Sequence, residues 1–103
     1  MGNCLLVRKD KKDYFTPDFS NIIYSINKSG GGSTEWTATE PCFVQMDVSY
    51  VPEGQVPYYN GSPADISPKS GITFLFCKEG DVVKNIAHAN WGVYIYAFGL
   101  KKL

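Results

Sequence analysis

The sequence predicts an all-β domain, an antiparallel two-sheet sandwich of the jelly-roll type with about eight or nine short strands. Helical patterning is nearly absent, because no window of about 11 or more residues keeps a helical spacing of apolar side chains without an internal glycine or proline. Alternation at period two is frequent, and ten Gly and six Pro among 103 residues supply turn signals at regular intervals. This length fits one domain with one modest core.

The N-terminal third mixes short apolar runs with charged and glycine-rich stretches. Residues 4–8 form a short apolar run, and residues 9–13 are predicted to be a charged hairpin tip or edge. Residues 14–21 are interpreted as an aromatic loop. The glycine run within 29–33 predicts a mobile loop between strands, since it lacks the Gly-Lys-Ser/Thr ending of a phosphate-binding loop.

Three strands are predicted between residues 22 and 50 from alternation and β-branched content. Residues 22–27 alternate, which places Ile22, Tyr24 and Ile26 on one face, and residues 34–39 are rich in threonine. The clearest strand follows Pro41, where apolar and polar residues alternate over ten positions, as in a strand with one buried face. The predicted inward set is Cys42, Val44, Met46, Val48 and Tyr50.

The second half of the chain is divided by strong turn signals. Asn60-Gly61 predicts a two-residue hairpin turn, because both positions accept positive φ. Lys78–Asp81 predicts a tight turn, which the Asp81 carboxylate would fix by accepting backbone N–H groups. Loops are predicted at 51–54 and 63–71, and strands at 56–59, 72–77, 82–88 and 92–100.

Two of these strands are apolar on both faces. In the last one Val93, Ile95 and Ala97 point one way, and an aromatic stripe of Tyr94, Tyr96 and Phe98 points the other way. Residues 72–77 have the same two-sided character, which predicts burial on both sides. A sandwich strand needs one apolar face, and no helix is predicted to cover the second, so we expect the aromatic stripe to form a subunit interface. The alternative is a core in which long loops bury both faces.

Composition and charge exclude several functional classes. Ten basic and ten acidic residues give a formal net charge of zero, which argues against a general nucleic-acid binder and against a membrane-surface protein. No apolar run approaches a membrane span, and the N-terminus does not resemble a signal peptide. We therefore expect no nucleic-acid partner, no membrane insertion and synthesis in a reducing cytoplasm.

Catalytic and metal-binding constellations are not evident. The single histidine, His88, and scattered acidic residues offer no nucleophile–base pair, so the protein is expected not to be an enzyme and to need no cofactor or metal. The three cysteines Cys4, Cys42 and Cys77 are interpreted as free thiols of a reducing compartment. A bridge between Cys42 and Cys77 is left open.

Three segments resemble small jelly-roll domains of bacteriophage and prophage virion proteins, which share their layout with tumour necrosis factor and complement-globular domains. Trp36–Val44 resembles their W-T-A-P-x-D-G-x-V opening, although Cys42-Phe43 stands where D-G is usual, so a continuous strand would replace that turn. Phe76–Val83 resembles their L-P-V-x-K-G-D-x-V segment, and Trp91–Leu100 resembles their final strand. The resemblance covers residues 34–100, while residues 1–33 would be either an attachment arm or outer strands of the same sandwich.

This resemblance implies a non-enzymatic homotrimer that decorates a virion head, fibre or tail or contacts a host-surface receptor, a glycan or a protein. The last strand would line the threefold axis, and residues 1–33 would contact other virion proteins. The implied trimer-interface residues are Tyr94, Tyr96, Phe98, Phe74 and Phe76. The implied receptor-contact residues are Tyr58, Tyr59, Asn60 and Trp91.

Two alternatives share the jelly-roll fold. A stand-alone carbohydrate-binding module of a bacterial surface system would need an exposed aromatic platform and no threefold axis. A cupin enzyme would need several histidine ligands, and one histidine is too few.

Overall fold

The computed structural model is an all-β sandwich, which confirms the predicted fold class. It describes residues 6–8, 13–30, 32–48, 56–64, 71–87 and 92–103. Within these ranges the strands are β1 (Leu6–Arg8), β2 (Asp13–Lys28), β3 (Gly32–Thr37), β4 (Cys42–Val48), β5 (Tyr58–Tyr59), β6 (Ser62–Pro63), β7 (Gly71–Cys77), β8 (Val82–Ala87) and β9 (Val93–Lys102).

The strands form two antiparallel sheets with jelly-roll connectivity. One sheet has the order β1-β2-β9-β4-β7 and the other has the order β3-β8-β5-β6. From β2 to β9 the chain changes sheet at every step except between β5 and β6, which are joined as a hairpin. The last strand therefore lies in the middle of the five-stranded sheet, between β2 and β4.

The β2 strand is longer than the sequence predicted, and the interpretation of residues 14–21 as a loop is wrong. These residues belong to β2 because β9 continues to Lys102 and provides a partner for them, with Phe15 opposite Lys102 and Pro17 opposite Leu100. The β1 strand pairs with β2 as well, so residues 6–8 and 13–28 are strands of the same sandwich.

The predicted common face of Ile22, Tyr24 and Ile26 is also wrong. The register of β2 against β9 shifts between Ile22 and Tyr24, so that Ile22 lies opposite Phe98 while Tyr24 lies opposite Ala97. A β-bulge adds one residue to a strand, and one added residue moves every following side chain to the other face. Tyr24 and Ile26 consequently pack against the core, whereas Ile22 is 59% exposed on the outside of the sheet.

The core lies between the two sheets and contains the inward faces of β4, β8 and β9. The predicted alternation of β4 is confirmed for Cys42, Val44 and Met46; the side chain of Val48, and Tyr50, lie outside the described residues. The predicted alternation of β9 is confirmed as well, since every second residue from Val93 to Gly99 is buried. The main core cluster consists of Ala38, Cys42, Val44, Met46, Cys77, Val83, Ile95 and Ala97.

One buried polar side chain connects the two sheets. Asn85 of β8 is 1% exposed, and its Nδ2 donates to the carbonyl oxygens of Tyr94 at 2.8 Å and Asp47 at 3.3 Å. Its Oδ1 accepts the backbone N–H of Ile86 at 3.0 Å. Asp47 and Tyr94 are register partners on β4 and β9, so a single amide links the four-stranded sheet to two central strands of the other sheet.

Replacing Asn85 by Ala should destabilise the protein by about 1–3 kcal/mol, because two buried carbonyl groups lose their donor. Chemical denaturation monitored by far-ultraviolet circular dichroism measures the free energy of unfolding. Asn27→Ala, on an exposed position of β2, is the matched control and should change that free energy by less than about 0.5 kcal/mol. Equal effects of the two substitutions would show that the link between the sheets contributes little.

Candidate functional site

The outer face of the five-stranded sheet carries a continuous set of aromatic side chains. This surface, called the aromatic face below, includes all five predicted trimer-interface residues and one residue that the sequence analysis did not single out, Phe43. Its members are Phe43 of β4, Phe74 and Phe76 of β7, and Tyr94, Tyr96 and Phe98 of β9.

Strand register brings these side chains together. Phe43 lies directly opposite Phe76 on one side and Phe98 on the other, so three phenylalanines form a row across three strands. In the next row Gln45 lies opposite Phe74 and Tyr96. Directly opposite residues on one sheet face lie about 4.5–5.5 Å apart at Cβ, so their rings must pack against each other.

The rings make close, well-oriented contacts. Phe43 stacks on Phe74 at 5.5 Å with an interplanar angle of 13°, and it contacts Phe76 at 5.1 Å. Tyr94 and Tyr96 stack at 6.0 Å and 17°. These contacts leave Phe43 only 5% exposed although it points away from the core.

A phenylalanine from β2 covers one end of the aromatic face. The register of β2 shifts between Pro17 and Ile22, and Phe19 lies in this irregular segment. Its ring meets Phe98 edge-on at 5.1 Å and Phe43 at 6.0 Å. The sequence did contain a signal for Phe43, which is an aromatic residue at an outward position of an otherwise alternating strand, but it contained none for Phe19.

The margins of this surface are open to solvent in the described chain, at Phe74 of the aromatic face and at neighbouring apolar side chains of β2 and β7. Phe19, Ile22, Ile72 and Phe74 are each 50–61% exposed. The prediction that residues 72–77 are buried on both sides is therefore wrong for the single chain, because β7 is an edge strand and no described element covers its outer face. Contiguous exposed apolar surface of this kind is typical of an interaction site.

Two ionisable side chains of this surface, those of Asp47 and Tyr96, have shifted pKa values. Asp47 of β4 lies opposite Ile72 and Tyr94, and partial burial raises the pKa of its carboxyl group. Burial also raises the pKa of Tyr96, with smaller contributions from Tyr94 and Asp47. Further burial of this surface would thus favour the protonated forms of both groups.

A second organised cluster surrounds Asp81. The predicted tight turn at Lys78–Asp81 is confirmed, with the Asp81 N–H donating to the Lys78 carbonyl at 3.1 Å and Gly80 at a φ of 92°. The Asp81 carboxylate accepts the Lys78 N–H at 2.9 Å, as the sequence predicted. It also accepts the Tyr59 hydroxyl at 2.6 Å and Asn60 Nδ2 at 3.1 Å.

These hydrogen bonds shift the pKa values of both partners. The Tyr59 hydroxyl, followed by the Lys78 N–H, holds the pKa of Asp81 below its usual value. The same bond, with burial, raises the pKa of Tyr59 to about 12. The hydrogen-bond donors around the buried Asp81 carboxylate therefore stabilise its ionised form.

The predicted receptor-contact residues lie on the four-stranded sheet, on the β5–β6 hairpin. Asn60 and Gly61 have positive φ, at 49° and 83°, which confirms the predicted hairpin turn. The Asn60 side chain accepts the Val82 N–H at 2.7 Å besides donating to Asp81, and Tyr58 is half-buried. The polar atoms of Tyr59 and Asn60 are thus used inside the fold, and Trp91 lies outside the described residues.

Two shallow depressions lie beside Tyr59, between the edges of the two sheets. Tyr59 and Phe76 line both of them. The larger, of about 360 Å³, is also lined by Pro41, Cys77, Lys78 and Asp81. The smaller, of about 280 Å³, is also lined by Ser62, Pro63, Ala64, Phe74 and Leu75.

Comparison with protein-family models, with curated proteins and with solved structures found no match. Among the described residues no group of three or more His, Cys, Asp and Glu side chains could hold a metal ion. The described part of the chain contains no helix with the length and apolar character needed to cross a membrane. Cys42 and Cys77 are free thiols, and His88 and Cys4 lie outside the described residues.

Replacing Asp81 by Asn should destabilise the protein by about 2 kcal/mol at pH 7, because the charged acceptor of three hydrogen bonds is lost. A folded-state pKa below 3.8 means that this contribution is complete above about pH 4 and disappears as the pH falls through the folded-state value. The stability difference between the wild type and Asp81→Asn should therefore shrink below pH 4, as measured by urea denaturation across pH.

Asp47→Asn provides the control of opposite sign. The pKa of Asp47 is raised in the folded protein, so protonation favours folding there and the wild type should gain stability relative to Asp47→Asn on acidification. A difference for Asp81→Asn that is independent of pH would contradict the assignment of a stabilising ionised carboxylate.

Proposed function

We propose that the protein is a non-enzymatic structural protein of a bacteriophage or prophage particle. In this proposal it forms a homotrimeric jelly-roll knob that decorates the particle or contacts a receptor on the host surface. The observation that carries the proposal is the aromatic face. Its rings pack against one another within a single chain, yet the ring of Phe74 at its margin remains exposed to solvent.

The chemistry of the aromatic face favours a protein partner. Aromatic residues are enriched in protein interfaces and charged residues are depleted from their centres, and the centre of this face holds aromatic rings with Gln45 and a single acid, Asp47. No lysine or arginine lies on this face in β4 between residues 43 and 47, in β7 between residues 72 and 76, or in β9 between residues 94 and 98. Nucleic acid or an anionic membrane would therefore find no cationic contact there.

A second copy of the chain is the partner that best fits this surface. Each copy brings the same largely apolar face, whose burial would contribute roughly 25 cal/mol per Å² of apolar area. The position of β9 in the middle of the five-stranded sheet supports the arrangement implied by the resemblance, in which the last strand approaches a threefold axis. Tyr94, Tyr96 and Phe98 would then lie closest to the axis.

We assign the contacts with other virion proteins and with the host to surfaces of the chain outside the aromatic face. In this proposal the N-terminal segment contacts other virion proteins, and the position of β1 as the outermost strand of the five-stranded sheet supports this assignment because such contacts would leave β9 uncovered. The β5–β6 hairpin, with Tyr58, Tyr59 and Asn60, is assigned to the host surface, since it lies on the other sheet.

A carbohydrate-binding module of a bacterial surface system is the second candidate. The observation that favours it is the pair of shallow depressions lined by Tyr59 and Phe76, because aromatic rings are suited to stacking on sugar rings and the nearby Lys78 offers a polar group. This function would require no contact between copies of the chain.

Light scattering on a sizing column should give a mass near three times 11.4 kDa for the wild type. Phe74→Glu should yield monomers, because three carboxylates would enter an apolar interface, while the exposed position of Phe74 allows the fold to persist. Thr37→Glu, an equal change of charge at an exposed position of β3, should remain a trimer. A folded wild-type protein that stays monomeric at micromolar concentration would refute the trimer.

A glycan array tests the second candidate. If the protein is a carbohydrate-binding module, a monomer should bind a defined glycan, and Tyr59→Ala should abolish binding because it removes the ring that lines both depressions, while circular dichroism shows that the variant stays folded. Tyr59→Phe keeps the ring that lines the depressions and should keep the binding. Binding that survives Tyr59→Ala would exclude the two depressions from the glycan site.

A further inference from the structure

The two described cysteines form a pair inside the sandwich. Cys42 is the first residue of β4 and Cys77 is the last residue of β7, and the two are directly opposite in register. Both face the core, at 0% and 3% exposure, and both are free thiols.

The geometry of the ladder brings the two sulfur atoms into contact. Directly opposed residues of an antiparallel pair have Cα atoms about 4.5 or 5.5 Å apart, within the roughly 4.4–6.8 Å that a disulfide requires. The thiols are hydrogen-bonded to each other, which lowers the pKa of Cys42 and raises that of Cys77. Cys42 is therefore the sulfur that forms a thiolate more readily.

We propose that Cys42 and Cys77 are an oxidation site at which a peroxide produces a cross-strand disulfide between β4 and β7. This inference is independent of the proposed function, because it rests on the strand register and on the thiol contact alone.

The chemistry needs one molecule of hydrogen peroxide for each disulfide. The Cys42 thiolate attacks one peroxide oxygen, the O–O bond breaks, and a sulfenic acid and hydroxide are formed. The Cys77 sulfur then attacks the Cys42 sulfur, the S–O bond breaks, and the departing oxygen leaves as water with the proton that Cys77 gives up. In total, two thiols and one peroxide become one disulfide and two water molecules.

The surroundings allow a small oxidant to approach but slow the reaction. The larger depression reaches Cys77 between Pro41, Tyr59 and Phe76, and hydrogen peroxide, which is close to water in size, must pass Cys77 to reach Cys42, which is 0% exposed. The charges of Glu40 and Asp81 oppose thiolate formation at Cys42. We therefore expect a slow, specific oxidation and not the behaviour of an exposed reactive cysteine.

The disulfide would fasten an edge strand. Among the described strands β7 pairs only with β4, and it carries Phe74 and Phe76 of the aromatic face. A covalent bond at its C-terminal end would also close the chain from residue 42 to residue 77, which restricts the unfolded state.

The experiment uses the full chain with Cys4→Ser, so that two cysteines remain. After hydrogen peroxide treatment, the thiol count of the denatured protein should fall from two to zero, and the mass should fall by that of two hydrogen atoms. The melting temperature should rise by about 10 °C or more, and a dithiol reductant should reverse all three changes.

Cys77→Ala in the same background is the matched control, and its circular dichroism spectrum confirms that it folds. It should form no intramolecular disulfide, lose no hydrogen mass and show no rise in melting temperature. Three results would overturn the proposal: two thiols that persist under conditions that oxidise the unfolded protein, addition of oxygen to the two-cysteine protein, or chains cross-linked to one another on a non-reducing gel.

Discussion

The buried carboxylate of Asp81 fixes the end of the sandwich at which the two sheets are joined. It accepts hydrogen bonds from Tyr59 of β5, from Asn60 of the following turn and from the Lys78 backbone after β7. The Asp81 carbonyl accepts the Ala38 N–H after β3, and the Ala38 carbonyl accepts the Gly80 N–H. Because an ionised carboxylate is costly to bury without donors, these segments must hold their positions together. Asp81 is buried immediately before β8, and the alternation of buried residues continues along β8 with Val83 and Asn85.

The features that could be predicted from the sequence are those that local chemistry decides. The residues of Asn60-Gly61 and Lys78–Asp81 favour the turns that they form, and the alternation along β9 determines which side chains face the core. Most strands and the jelly-roll class could be predicted from turn signals and alternation of this kind. The bulge near Ile22 and the irregular segment around Phe19 had no local signal, because they arise where β2 must match the length and twist of β9. The aromatic face was predicted in part, since Phe43 joins it only through a register with strands far away in the chain.

The aromatic face follows from central strands that are apolar on both sides. A two-layer sandwich covers one face of each sheet, and here the inner face is already closed by Val44, Met46 and Ile95. The outer rings therefore pack on one another, which buries Phe43 almost completely but leaves the rings at the margin, such as Phe74, half exposed. Exposed apolar side chains that lie next to one another on a folded protein are typical of interaction sites.

The strands β4 and β7 contact each other through side chains on both faces of the sheet. At the C-terminal end of β7, Cys77 lies opposite Cys42 on the inner face, and the next pair, Phe76 opposite Phe43, packs on the outer face. An edge strand held by one neighbour would otherwise be prone to local opening. With contacts on both faces, β7 presents Phe74 and Phe76 in a fixed arrangement before any partner arrives. Preorganisation of this kind lowers the ordering cost of association, so the contacts inside the sandwich support binding on its outside.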